Sequence, residues 1–166
     1  MLMQSQIIDA LAKTKGRSID TGELASLGFP QHYIDLADRV GVQEITPDFA
    51  LPPSSELAIE KLRLGARTQG WLIFGFSVSG DMWLIRSDAA DDQVAFLTQD
   101  EEAGKHPQPM GINILQWFEL AFTVREHEAA IAKARSESEK RTLKQKVKKQ
   151  LDTMSPGLSQ RYPYSL

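Results

Sequence analysis

The chain of 166 residues contains no cysteine. A disulfide scaffold and thiolate metal chemistry are therefore excluded, and a cytoplasmic location is the one expected. No apolar stretch reaches the roughly 20 residues that a membrane span requires. The opening segment, MLMQSQIIDALAKTKG, lacks the basic start, apolar block and small-residue cleavage site of a signal peptide. Neither charge sign dominates: 19 Lys and Arg stand against 22 Asp and Glu, a net charge of −3. No whole-molecule field favours nucleic acid. Histidine is scarce, and His32, His106 and His127 are far apart, none with a His or Cys at metal-ligand spacing. No serine sits in a G-x-S-x-G elbow. No catalytic residue, metal or cofactor is therefore expected, although a triad assembled only in space leaves an enzyme as a remote alternative.

The apolar content of 42% and the charged content of 25% suit an ordinary soluble globular chain. Its length fits one domain with an appended arm, burying on the order of 70% of the unfolded surface. Asp88, Asp91, Asp92, Asp100, Glu101 and Glu102 follow one another with no Lys or Arg among them. The sign reverses between Lys133 and Lys149, where basic residues outnumber Glu137 and Glu139. An acidic middle and a basic late arm are the two main electrostatic features.

Met3, Ile7, Ile8 and Leu11 share a helical face that ends near Gly16. A short helix is predicted over 21–27. Another follows Pro30, with Tyr33, Leu36, Ala37 and Val40 at helical spacing and Gly41 at its end. VQEITPDFALPPSS, with three prolines, reads as a loop. Ser54 or Ser55 can cap a helix that runs to about Leu64. The pattern then changes: WLIFGFSV and DMWLIR are apolar runs of strand length around Ser79-Gly80-Asp81. A phosphate cradle would need several glycines leading into a helix N-terminus. Here a single glycine leads into an apolar strand, so the motif is a hairpin turn. QVAFLTQ is a third strand, and EEAGKHPQPMG is a loop with room for one more.

From Ile112 the period is helical again, with Leu115, Phe118 and Phe122 in one stripe. EHEAAIAKARSESEKRTLKQKVKKQLDTM has no Gly or Pro and reads as a continuous helix. Leu143, Val147 and Leu151 form a stripe on it that must pack on this subunit or on a second copy. SPGLSQRYPYSL reads as an irregular tail. The basic arm lacks interleaved aromatics and a base-reading set, so nucleic acid is an unfavoured partner. Trp71, Trp83 and Trp117 are expected in the core, with one of them able to edge a groove. The acidic residues lack the ligand pattern of a Ca²⁺ loop. They read either as solvated turns or as a docking face for a cationic partner.

The order of these features resembles the SUKH superfamily, which groups bacterial immunity proteins of polymorphic toxin systems with Syd-like proteins and a yeast cell-wall synthesis regulator. The similarity runs from about Gly28 to Phe122. It is carried by Phe29-Pro30 to Gly41, the strand Trp71 to Val78, Gly80-Asp81, the strand Met82 to Ile85, Val94 to Glu101, and the aromatic-rich Ile114 to Phe122. It implies an α+β fold, an antiparallel sheet flanked by helices, here with a long C-terminal helical arm. Residues 1–124 would form the domain, 125–154 a helical extension and 155–166 the tail. The function implied is non-enzymatic: an immunity-type protein neutralising a toxin by direct binding. Asp81, Asp88, Asp91, Asp92, Asp100, Glu101 and Glu102 would meet a basic toxin domain. The alternative is a regulatory adaptor that forms a homodimer through the C-terminal helix.

Overall fold

The structure is a computed structural model, and it describes residues 2–65, 68, 70–87, 92–99 and 106–166. Four helices come early: α1 (Gln4–Ala12), α2 (Thr21–Ser26), α3 (Gln31–Val40) and α4 (Ser54–Leu64). The strands are β1 (Gln43–Thr46), β2 (Phe49–Leu51), β3 (Trp71–Phe76), β4 (Met82–Arg86), β5 (Gln93–Leu97) and β6 (Gln108–Asn113). The chain closes with α5 (Ile114–Lys133), α6 (Glu137–Met154) and α7 (Leu158–Arg161). The six strands form one antiparallel sheet in sequence order. This is the expected α+β class. Among the described residues no helix is long and apolar enough to cross a membrane.

Local chemistry explains the early helices. Ile7, Ile8 and Leu11 give α1 its buried face, and the Met3 amide donates to Gln6 Oε1 at 2.8 Å. Asp20 caps α2 by accepting the Glu23 amide at 3.0 Å. Pro30 precedes α3, whose Tyr33, Ile34, Ala37 and Val40 are buried. Gly41, at φ 71°, ends it in a conformation that costs glycine little. The central strands β3, β4 and β5 are buried along almost their whole length, so both faces of the sheet are covered there. Gly80 turns β3 into β4 at φ 84°, as the hairpin reading requires. Ser77 donates its amide to the Asp81 carbonyl at 2.9 Å and closes the turn.

Three segments differ from the sequence reading. The proline-rich segment holds a hairpin, β1–β2, turning at Pro47-Asp48. Ile45, Phe49 and Leu51 are buried, and Thr46 Oγ1 accepts the Asp48 amide at 3.1 Å. The late helix is two helices. Ala134 is extended, and Ser136 restarts the chain by accepting the Glu139 amide at 3.1 Å. The α6 helix then folds back against α5. The tail forms α7 and docks: Leu158 and Tyr162 are buried, and Arg161 Nε donates to the Met110 carbonyl at 3.0 Å.

The stripe on α6 is used within the subunit, since Val147 and Leu151 belong to the same core cluster as Trp83, Trp117 and Phe118. The α5 helix runs unbroken past Val124, so the described C-terminal elements share the core of the sheet.

Candidate functional site

Asp81 is held by its own chain. Its Oδ1 accepts the Gln99 amide at 3.0 Å, and its Oδ2 accepts the Tyr164 hydroxyl at 2.9 Å. Asp48 is engaged in the same way. Its carbonyl accepts Trp83 Nε1 at 2.8 Å, and its Oδ2 accepts the Tyr162 hydroxyl at 3.2 Å. Two alternate residues of the C-terminal segment thus reach two carboxylates on two turns of the sheet. Ring contacts support both: Tyr162 stacks on Phe49 at 6.2 Å between centroids, and Tyr164 meets Phe96 edge-on at 5.7 Å.

Burial pushes both phenols well above the ordinary tyrosine range, and the neighbouring carboxylates push the same way. Burial also raises Asp48, with Tyr162's hydrogen bond opposing the rise and the Asp81 charge adding to it. Glu128 is raised by burial and then by the Asp48 charge. Phenols that keep their protons are donors, not bases. The cluster is therefore a clamp fastening the tail to the sheet.

Asp92 stands at the start of β5 at φ 39°, and its Oδ2 pairs with His32 Nε2 at 2.8 Å. The register Met82 to Leu97 and Ile85 to Val94 places Asp81 and Asp92 at opposite ends of the β4–β5 pair. The structure does not bring these two expected contact residues together. Asp88, Asp91, Asp100, Glu101 and Glu102 lie outside the described residues. Trp83 and Trp117 are fully buried, whereas Trp71 is half-exposed with the Arg86 guanidinium 5.3 Å from its ring centroid. Among the described residues no three His, Asp or Glu are grouped to hold a metal.

The concave surface beside the Gly80 turn is one the acidic motif did not indicate. Strands β2 and β3 share the pair Ala50 and Phe76. Pro52 and Pro53 then lead the chain away into α4, because proline cannot continue the ladder. The divergence leaves a groove of about 580 Å³. Ala50, Phe76, Val78 and Ile59 line it, with Glu44, Glu56 and Glu60 among them. Val78 is 78% exposed and Ile59 62% exposed. Glu60 is neutralised by Arg63 at 2.6 Å. Glu44 and Glu56 pair with no basic side chain among the described residues.

This geometry offers apolar anchors, free carboxylates and the fixed backbone of a turn. Comparison with protein-family models, with curated proteins and with solved structures finds no match to this chain.

Proposed function

We propose that this protein is a non-enzymatic binding module that docks a protein partner in the groove beside the Gly80 turn. The observation that carries the reading is that exposed apolar side chains, Val78 and Ile59, stand beside Glu44 and Glu56, which pair with no basic side chain among the described residues. Apolar side chains that a partner can cover supply affinity, and uncompensated charge supplies association rate and discrimination. The partner chemistry that fits is a basic surface carrying an apolar anchor. The resemblance to SUKH proteins makes a toxin domain the candidate, with this chain as its cytoplasmic immunity-type neutraliser. Asp81 contributes by holding the turn, not by contact, since its oxygens are taken by Gln99 and Tyr164.

The test uses the product of the adjacent reading frame, or a protein pulled down from the native cell, as the analyte in a surface-binding assay. Val78→Asp should abolish binding while leaving the far-ultraviolet circular dichroism unchanged. Glu44→Gln with Glu56→Gln should slow association and flatten its salt dependence. Unchanged binding in both variants would place the partner elsewhere on the protein.

A further inference from the structure

A second cavity, of about 180 Å³, lies between α1, α5 and α6. Its walls mix apolar side chains, Phe122, Val147 and Met154 among them, with polar ones such as Thr123 and Gln150. Glu119 of α5 also lines it, and this residue is only 9% exposed. Its carboxylate receives no hydrogen bond and no ion pair from any described residue. Lys146 lines the same cavity, but it is exposed and forms no ion pair with Glu119. His127 and Glu126 are the other titratable groups there, and burial and Lys144 lower the former's tendency to carry a proton.

A carboxylate with no partner, held in a partly sheltered cavity between helices, attracts a cation there more strongly than one on open surface would. The walls specify the rest of that cation. They offer aliphatic and aromatic carbon in the same cavity as Glu119. An engineered cavity of about 150 Å³ takes a molecule the size of benzene, so a six-carbon body is within reach here.

We infer that this cavity binds a primary aliphatic amine, its ammonium donating to Glu119 and its alkyl chain lying against Phe122, Val147 and Met154. Glu126, seven residues further along α5 and so about 10.5 Å along the axis, is paired with Arg125 at 3.9 Å, which leaves Glu119 as the carboxylate for the amine. This site is separate from the groove beside Gly80, and the inference stands whether or not that groove docks a protein.

The probe is hexylammonium, titrated into the full-length protein by calorimetry and by amide chemical shifts, with hexan-1-ol as the neutral control. Hexylammonium should bind saturably and move amides of α1, α5 and α6. Hexanol should bind at least tenfold more weakly. Glu119→Gln should weaken hexylammonium binding at least tenfold while its melting curve remains cooperative. Equal affinity for hexanol, or unchanged affinity in Glu119→Gln, would overturn the assignment. The Lys146→Met variant tests whether the chain's own ammonium occupies the site. Binding seen only in that variant would also overturn the inference, making the cavity an internal ion-pair site. Absence of binding in both the native protein and Lys146→Met would do the same.

Discussion

Leu151 tests whether the C-terminal hairpin is part of the core or an appendage. Its side chain is fully buried, in the same cluster as Trp117 and Phe118. Leu151→Ala removes three carbons and leaves a cavity between α6 and the body. Leu-to-Ala changes at such sites cost about 2–5 kcal/mol, the spread reflecting how far the surroundings collapse. In a chain of this size each kcal/mol lowers the melting temperature by about 2–4 °C, so a fall of roughly 4–20 °C is expected. Leu62 provides the control, since it is 89% exposed on α4. Leu62→Ala should change stability by no more than about 0.5 kcal/mol. Urea denaturation with both tryptophan fluorescence and circular dichroism is the appropriate assay. Trp83 and Trp117 report the core, while the helical signal includes α6. If the hairpin is integral, both probes shift together in Leu151→Ala. A loss of helical signal that leaves the fluorescence transition in place would refute the reasoning and make α6 an independently melting arm.

Gly80→Val should destabilise by more than about 1 kcal/mol, because φ 84° is strained for a β-branched residue and a Cβ would stand 2.5 Å from Gln99 Oε1; unchanged thermal stability would contradict the turn. Truncation after Thr123 should yield a chain that does not fold cooperatively, because it removes Val147, Leu151, Leu158 and Tyr162 from the core; a sharp melting transition in the fragment would count against this. Light scattering of the full-length protein at micromolar concentration should give the monomer mass, since Val147 and Leu151 are already covered within the subunit; a dimer mass would mean that another surface associates. Asp48, whose folded-state pKa is raised, contributes stability that is full below its unfolded pKa near 3.8 and is lost as pH rises through the folded value. Asp48→Asn should therefore gain stability relative to the native protein between about pH 4 and pH 7, and a relative loss over that window in urea titrations would reverse the assigned sign.

What could be read in the sequence followed from how completely an element is buried and how long it is. Strands β3, β4 and β5 are covered on both faces, so their sequences are continuous apolar runs, and Gly80 marks the turn between the first two. Hairpin β1–β2 gave no such signal. Its strands have four and three residues, too few to show a period, and Pro47, Pro52 and Pro53 surround them. In the folded chain each proline falls where no ladder amide is needed, so the residues that read as a loop are those that bound the strands. The break between α5 and α6 could have been read. Ser136, followed by acidic residues at 137 and 139, is a helix-start signal: Ser136 accepts the Glu139 amide, and the Glu139 carboxylate reaches back to the Arg135 amide at 2.8 Å. Composition alone favoured helix on both sides and hid a start signal that contains neither Gly nor Pro.

The candidate sites were harder to read for a reason that lies in the topology. A run of acidic residues is visible in one dimension, but a meander returns the chain at alternate ends of its sheet. Asp81 and Asp92, eleven positions apart, are therefore separated by the length of the β4–β5 pair, and each is bonded to a residue far away in sequence, Tyr164 and His32. The groove, by contrast, draws Glu44, Ile59 and Val78 from three distant segments, none of which carries a local pattern. Glu119 was hidden in another way. Flanked by Phe118 and Leu120 in a helix with a broad apolar face, it reads as one polar residue among many. Only the packing of α1 and α6 against α5 shows that it lines a cavity between these helices.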